Sequence, residues 1–493
     1  MRKCHSLLIL LLFWAQLIAE SAKNSINDEN NELYSSSITG LLKLLEMDQQ
    51  FIENIKAYTN KMEEKVKNLQ AYIESIDYGV RESLEEREKY VSNPLNAFSL
   101  VRRTHQDLPK WHNYSQQIVG LEELYALEEI LSKGPDKKDM EYSLRNMQRL
   151  EKIYDLEATD LARGRLHNKQ YDIKLSLRDC IALGEHKFHM EDYQRASMWF
   201  RMALKQEPEG NDTIINNILG DPKDKLYMQY AKSMIIFGII QSNFSMTIKE
   251  VQAITNEALK ESSLADLKSL ISELLSQSDE EIVSEMNVNK TAPNDYELGC
   301  RGRFSRRRNL VCSYNFTTSP FLRLAPLKQE VLSMDPDIVI YHNVLYDEEI
   351  LKLEQHAENN TALEINPVKE RIFRRITDMT GFRFSLTDDL KLSDQKTSSL
   401  LNSHSKGTLI FYANDVEQGG ATVFPKLKIS VFPQKGSCLF WYNIFDNGNP
   451  DPRSEHLECP VLQGNKKVLT KWVYMEPKMC RPKMREKMDL GKF

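Results

Sequence analysis

A histidine and a lysine ten residues apart, His456 and Lys466, lie in a run of short motifs near the C-terminal end. These are GGATVFP at 419–425, FWYN at 440–443, LECPVLQGNKK directly after His456, and KW at 471–472. A neutral imidazole is a transition-metal ligand, and an ammonium on a nearby apolar strand is a partner for an anion. A metal that keeps positions open for reaction is commonly held by two histidines and one carboxylate on one face. The chain has ten histidines, so the search for partners can be exhaustive. The one His-x-Asp pair, His105–Asp107, falls in the N-terminal half. His189, His356 and His456 each begin a His-x-Glu pair, but the third uses His456 itself. His404 is nearest to the motif run, with Lys406 standing where its carboxylate should be. Out of context, a lone histidine on a loop is a surface residue.

The motifs fall among short apolar or alternating segments: IVIYHNVL (338–345), GTLIFYAN (407–414), ISVFPQ (429–434), SCLFWYNI (437–444) and KVLTKWVYM (467–475). Gly, Pro, Asn and Asp turns separate them, as in a jelly roll or barrel, and a helix is expected at 346–358 before most of them. Upstream the period changes. Phe51, Ile55, Tyr58, Met62, Val66, Leu69, Ile73 and Ile76 recur at steps of three and four, which predicts a long helix over 33–80. Its heptad-like stripe suits pairing with another helix, in a second copy or within a bundle. Residues 140–260 are also helical. There Leu183-Gly184, Ala196, Phe200, Ala203 and Pro208 match five anchors of the tetratricopeptide template, with Lys187 in place of the first aromatic anchor. Stacked helix pairs of that kind build concave surfaces.

The C-terminal motifs resemble the oxygenase domain of prolyl 4-hydroxylase α subunits. That family carries His-x-x-Cys-Pro-Val-Leu-x-Gly-Asn-Lys, matched here from His456 to Lys466. The resemblance implies an α+β multidomain fold: a helical N-terminal dimerisation region, a TPR-like peptide-binding domain and a C-terminal double-stranded β-helix. It divides the chain into a signal peptide (1–21), a dimerisation domain (22–140), a peptide-substrate domain (141–262), a linker (263–295) and a catalytic domain (296–493). It implies His456 as the distal iron ligand and Lys466 as the residue that holds the far carboxylate of 2-oxoglutarate, with Tyr412 and Trp472 lining or supporting the pocket. Fe(II), 2-oxoglutarate and L-ascorbate are the implied cofactors. The implied reaction is 4-hydroxylation of proline in X-Pro-Gly peptides. Tyrosines of the peptide domain grip proline-rich, collagen-like strands in this family. Tyr193, in an EDY turn, is the first candidate, followed by Tyr154, Tyr230 and Tyr227. Protein disulfide isomerase, the β subunit, is the implied partner, and the endoplasmic reticulum lumen the implied location.

One part of the family pattern is missing. A Tyr-x-x-His-x-Asp strand should follow segments like DMTGF (378–382) and TDDLKL (387–392), but the chain runs SDQKTSSLLNSHSK straight into GTLIFY. A single histidine does not hold Fe(II) tightly. Three readings stay open: a non-catalytic relative, a sequence lacking coding segments, or a site rebuilt from His404 and a remote carboxylate. A secreted lectin-like jelly roll is a weaker alternative.

The remaining features set bounds. The 493 residues suffice for two to four domains. A charged fraction of 28% with net charge −6 argues against nucleic-acid binding. No internal apolar run is long enough to span a membrane. Arg2 and Lys3, an apolar stretch from Leu7 to Ile18, and small residues Ala19 and Ser21 read as a secretory signal. Six sequons, at Asn113, Asn211, Asn243, Asn289, Asn315 and Asn359, are candidate glycan sites on that route. Cys4 would leave with the signal. Of the other six cysteines, Cys300 with Cys312 and Cys459 with Cys480 are spaced to close short loops, each stabilising by roughly 3 kcal/mol. Cys180 and Cys438 sit in apolar contexts and read as buried thiols. The acidic run SDEE at 278–281 reads as solvated linker, and RGRFSRRR after Cys300 as a charged loop.

Overall fold

The computed structural model describes residues 33–76, 84–167, 169–206, 218–220, 223–241, 292–305, 311–358, 367–382, 392–394, 405–445 and 447–474, with isolated positions at 214, 268–269, 271–272, 275–276 and 278. The expected signal segment, TDDLKL but for Leu392, His404, Pro208, Cys480 and most of the linker lie outside them. The chain divides into two compact units, Met1–Met140 and Glu141–Phe493.

The first unit is helical. Helix α1 (Ile38–Ser75) starts at Ser37, whose hydroxyl accepts from the Gly40 amide. Helices α2 (Leu84–Ser92), α3 (Pro94–Arg102), α4 (Leu108–Gln116) and α5 (Leu121–Ser132) follow. Part of the α1 stripe packs on these. Tyr72 stacks on Trp111 with centroids 4.2 Å apart, Lys61 pairs with Glu123 at 2.6 Å, and Tyr58 lies against Gly120. Ile55, Met62, Val66 and Ile73 of the stripe are exposed, whereas Phe51, Leu69 and Ile76 are half-buried.

In the second unit, helices α6 (Lys137–Tyr154), α7 (Ala158–Ala162), α8 (Leu177–His189), α9 (Tyr193–Lys205) and α10 (Lys223–Gln241) precede the strands. A Ser176–Asp179 capping box starts α8, and the Asp192 side chain caps α9. Helices α8 and α9 approach closely because Gly184 has no side chain. A Cβ there would lie 2.6 Å from the Phe200 ring. Lys187, where the repeat template wants an aromatic, is fully buried and ion-paired with Glu151 of α6, which also accepts from Trp199 Nε1 at 2.9 Å.

Helix α11 (Asp295–Cys300) leads into the sheets. A seven-stranded antiparallel sheet is built from β1 (Val311–Asn315), β2 (Leu327–Met334), β3 (Asp337–His342), β4 (Leu392–Asp394), β5 (Gly407–Tyr412), β9 (Cys438–Tyr442) and β12 (Lys467–Val473), in the order β1-β2-β3-β9-β5-β12-β4. The short strands β6 (Gln418–Gly419), β7 (Thr422–Phe424), β8 (Ile429–Val431), β10 (Leu457–Glu458) and β11 (Val461–Gln463) form the sheets β8-β7-β10 and β11-β6. Both faces of the large sheet are covered. Leu409, Phe411, Phe440 and Leu469 pack with Ile372, Phe373 and Ile376 of α13 (Pro367–Thr380) and Leu353 of α12 (Asp347–Glu358). Their alternating neighbours Ile410, Tyr412, Leu439, Trp441 and Val468 pack with Phe424, Ile429 and Val431 of the small sheet. Central strands covered on both sides are apolar throughout, hence LIFY and LFWY rather than alternation.

Two expectations are corrected. Cys300 is bonded to Cys459, so neither the Cys300–Cys312 nor the Cys459–Cys480 pairing forms, and Cys312 is free and exposed on the edge strand β1. The reason is the seat of α11: Gly299 lies on Val423 and accepts from Ser430 Oγ at 2.9 Å, so Cys300 faces the small sheet that carries Cys459. Asn315 is buried, and its amide donates to Thr318 Oγ1 at 2.8 Å, so a glycan there would have to break that turn. Cys180 and Cys438 are buried free thiols. Among the described residues no helix is long and apolar enough to cross a membrane.

Candidate functional site

The space between the large and small sheets brings together His456, Lys466, Tyr412, Thr422 and Glu458. Strand register explains how. On β10 Glu458 pairs with Thr422 of β7, and Leu457 with Val423. One residue further back, His456 falls beside Phe424. Its ring lies 4.5 Å from that of Trp441 and 5.8 Å from that of Phe424. Burial holds the imidazole below its ordinary pKa, favouring the neutral ring. Its Nδ1 lies 3.4 Å from the Ser454 carbonyl.

Lys466 enters from the turn before β12 and is almost fully buried. Its ammonium donates to the Gly420 carbonyl at 2.8 Å, lies over the Tyr412 ring at 5.5 Å, and forms an ion pair with Glu458. Thr422 Oγ1 lies 2.9 and 3.1 Å from the two Glu458 carboxylate oxygens and 3.0 Å from Tyr412 Oη. Tyr412 is fully buried. Burial first, and the Glu458 charge second, push its hydroxyl well above the usual tyrosine pKa. Trp472 is half-buried on β12, opposite Thr408 on β5. Lys406 is buried with its ammonium 5.0 Å from the centre of the Phe382 ring.

Glu458 went unnoticed in the motif reading. The His-x-Glu pair begun by His456 was set aside as a metal pair. The signal was the glutamate itself, a charged residue in an otherwise apolar run.

Three of the four candidate peptide-gripping tyrosines are buried. Tyr193, at the first turn of α9, is buried with its ring edge-on to Phe188 at 5.1 Å. Tyr230 of α10 is buried, and Tyr154 is buried with its hydroxyl donating to the Pro460 carbonyl. Each ring sits on the inward stripe of its helix, where apolar area is removed from water. Of the four tyrosines named, Tyr227 alone is half-exposed, with the Lys268 ammonium 5.5 Å from its ring centre.

The residues present can be tested against an iron and its co-substrate. His456 is enclosed by aromatic rings, and among the described residues no three His, Cys, Asp or Glu side chains gather as metal ligands. This donor set does not fit an Fe(II) centre. Lys466 and Thr422 fit a carboxylate, but the one they hold is Glu458.

A helical N-terminal region followed by layered antiparallel sheets, with a buried lysine–carboxylate site between the layers, defines the architectural class. Comparison with known proteins shows what the chain is similar to. Residues 37–168 match the model for the prolyl 4-hydroxylase α-subunit N-terminal region. The chain is 26% identical to prolyl 4-hydroxylase subunit alpha-2 of Gallus gallus, over 90% of this chain and 93% of that one. It is 25% identical to human prolyl 4-hydroxylase subunit alpha-1 over the same shares, and 27% identical to the Caenorhabditis elegans alpha-2 subunit over 78% and 81%. A viral collagen prolyl hydroxylase structure from Paramecium bursaria Chlorella virus-1 overlays 27% of this chain and 87% of its own, at 19% identity and a TM-score of 0.23. Over about nine-tenths of its length the chain is similar to prolyl 4-hydroxylase α subunits.

Proposed function

We propose that this chain is a non-catalytic α-type subunit, one that assembles with its partners and holds proline-rich, collagen-like peptide without oxidising it. The observation that carries this reading is the setting of His456: an imidazole beside Trp441 and Phe424, with no group of three potential metal ligands gathered there among the described residues. Losing two of three ligands removes binding at ordinary iron levels. In this reading the layered sheets are a double-stranded β-helix, the α8–α9 pair is a TPR-like peptide platform, and α1 mediates self-association. Protein disulfide isomerase is the partner, in the endoplasmic reticulum lumen.

A second reading, active procollagen-proline 4-dioxygenase, is favoured by the retention of both His456 and Lys466 in one buried site. It would use 2-oxoglutarate, O2, Fe(II) and ascorbate. The test is 2-oxoglutarate decarboxylation by the chain co-expressed with protein disulfide isomerase, with Fe(II), ascorbate and a Pro-Pro-Gly repeat peptide. The expected result is retained peptide and no peptide-stimulated decarboxylation. Turnover that disappears in both His456→Ala and Lys466→Ala would overturn the non-catalytic reading and establish the second.

A further inference from the structure

The Lys466–Glu458 pair is the most deeply buried ion pair between the two sheets, with side chains 2% and 5% exposed. Its surroundings are specific. Both carboxylate oxygens of Glu458 are within hydrogen-bond distance of Thr422 Oγ1, Thr422 meets the Tyr412 hydroxyl, and the ammonium is held by the Gly420 carbonyl and the Tyr412 ring. A cation, a hydroxyl donor and an aromatic face converging on one carboxylate are what a small carboxylate ligand would require of a binding site. Here the occupant belongs to the chain, delivered by the β7–β10 register that sets Glu458 opposite Thr422.

We infer that Glu458 is an internal ligand: its carboxylate fills a carboxylate-binding cradle made by Lys466, Thr422 and Tyr412, and so keeps free carboxylates, 2-oxoglutarate included, out of it. The inference rests on Lys466 being the residue that would hold the co-substrate's far carboxylate, as in the reading above. It makes the second loss independent of the first. Restoring iron ligands alone would leave the co-substrate position taken. Lys466 is preserved in this state because Glu458 needs it, not because 2-oxoglutarate does. Removing Glu458 leaves a buried ammonium without its counter-charge, a cavity of side-chain size and an unused hydroxyl donor.

The experiment compares the full-length wild-type chain, Glu458→Ala and Glu458→Ala/Lys466→Met, without iron or peptide. Acetate, succinate and 2-oxoglutarate are the probes, and chloride at matched ionic strength is the control. Thermal midpoint and titration calorimetry are the readouts. The wild type should ignore all three carboxylates. Glu458→Ala should melt lower and recover saturably with carboxylate but not chloride, as expected for a ligand that binds only the folded state. The double variant should lose the carboxylate response. A folded Glu458→Ala that ignores carboxylates would overturn the inference, as would a wild type that binds 2-oxoglutarate as tightly as Glu458→Ala. Should Glu458→Ala fail to fold even when produced in acetate, the double variant decides. Recovery of folding shows that the lone ammonium was the fault, and continued failure overturns the inference. Because no turnover is measured, failure here leaves the decarboxylation result standing, and the reverse also holds.

Discussion

Tyr154 donates its hydroxyl to the carbonyl of Pro460 at 2.5 Å, riveting the end of α6 to the segment that carries His456 and Glu458. Two more contacts reinforce it. Arg149 and Tyr296 each donate to the Glu458 carbonyl, at 3.1 and 2.8 Å. Gly419, at φ +82°, leaves room, since a Cβ there would lie 2.6 Å from Tyr154 Oη. Helix α6 and the sheets are thus docked through the site strand, and Tyr154 serves that dock.

Tyr154→Phe keeps the ring and removes the donor, leaving the Pro460 carbonyl with the Gly420 amide as its other partner. The expected loss is about 0.5–1.5 kcal/mol in chemical denaturation of the full chain. An unchanged midpoint would show that the dock does not depend on this bond.

The buried Lys187–Glu151 pair should behave asymmetrically. Lys187→Met strands a carboxylate and should cost about 3–5 kcal/mol, whereas Lys187→Met with Glu151→Leu should recover most of it. Burial already raises the Glu151 pKa despite the Lys187 charge and the Trp199 hydrogen bond. A carboxyl with a raised folded pKa is most stabilising below its unfolded pKa, and that stability is lost as pH rises through the folded value. The deficit of Lys187→Met against wild type at matched pH should therefore shrink on acidification. A deficit that grows would contradict the assignment.

The central strands were legible because continuous apolar runs such as LIFY and LFWY suit strands covered on both faces. The helix pair was legible from Gly184 and Phe200, whose close contact needs those residue types. Lys187 shows where legibility stopped: its partner Glu151 is on another helix, and no local pattern links them. The burial of Tyr193, Tyr154 and Tyr230 was not legible for a related reason, since periodicity does not say which amphipathic face a ring joins. Strands β1 and β2 were missed because an edge strand and its neighbour, with Lys328, Gln329 and Glu330, look polar in sequence. Glu458 was visible as a residue, but its meaning depended on the register with Thr422.

The Cys300–Cys459 bridge spans 159 residues and should contribute up to about 5 kcal/mol by restricting the unfolded chain. Cys300→Ser, Cys459→Ser and the double variant should be destabilised equally. Non-reducing peptide mapping should find this link, and a Cys300–Cys312 link would refute it. Native alkylation should label Cys312, whereas Cys180, its pKa pushed up to about 12 by burial, and Cys438, raised by the same cause, should react only after unfolding.

Helix α1 has two faces with different expected roles. Tyr58 and Tyr72 pack within the first unit, against Gly120 and Trp111, while Ile55, Met62, Val66 and Ile73 stay 40–69% exposed. Apolar residues left in water at steps of seven, four and seven along one helix suit a second copy of the same helix. Val66→Glu with Met62→Lys should therefore lower the mass by light scattering to that of the unpaired species, with helical circular dichroism unchanged. Tyr72→Ala should do the opposite, lowering stability by about 2–4 kcal/mol through lost ring packing while leaving the mass as it is. If the outward substitutions leave the mass unchanged, α1 is an ordinary bundle helix and association must be sought elsewhere.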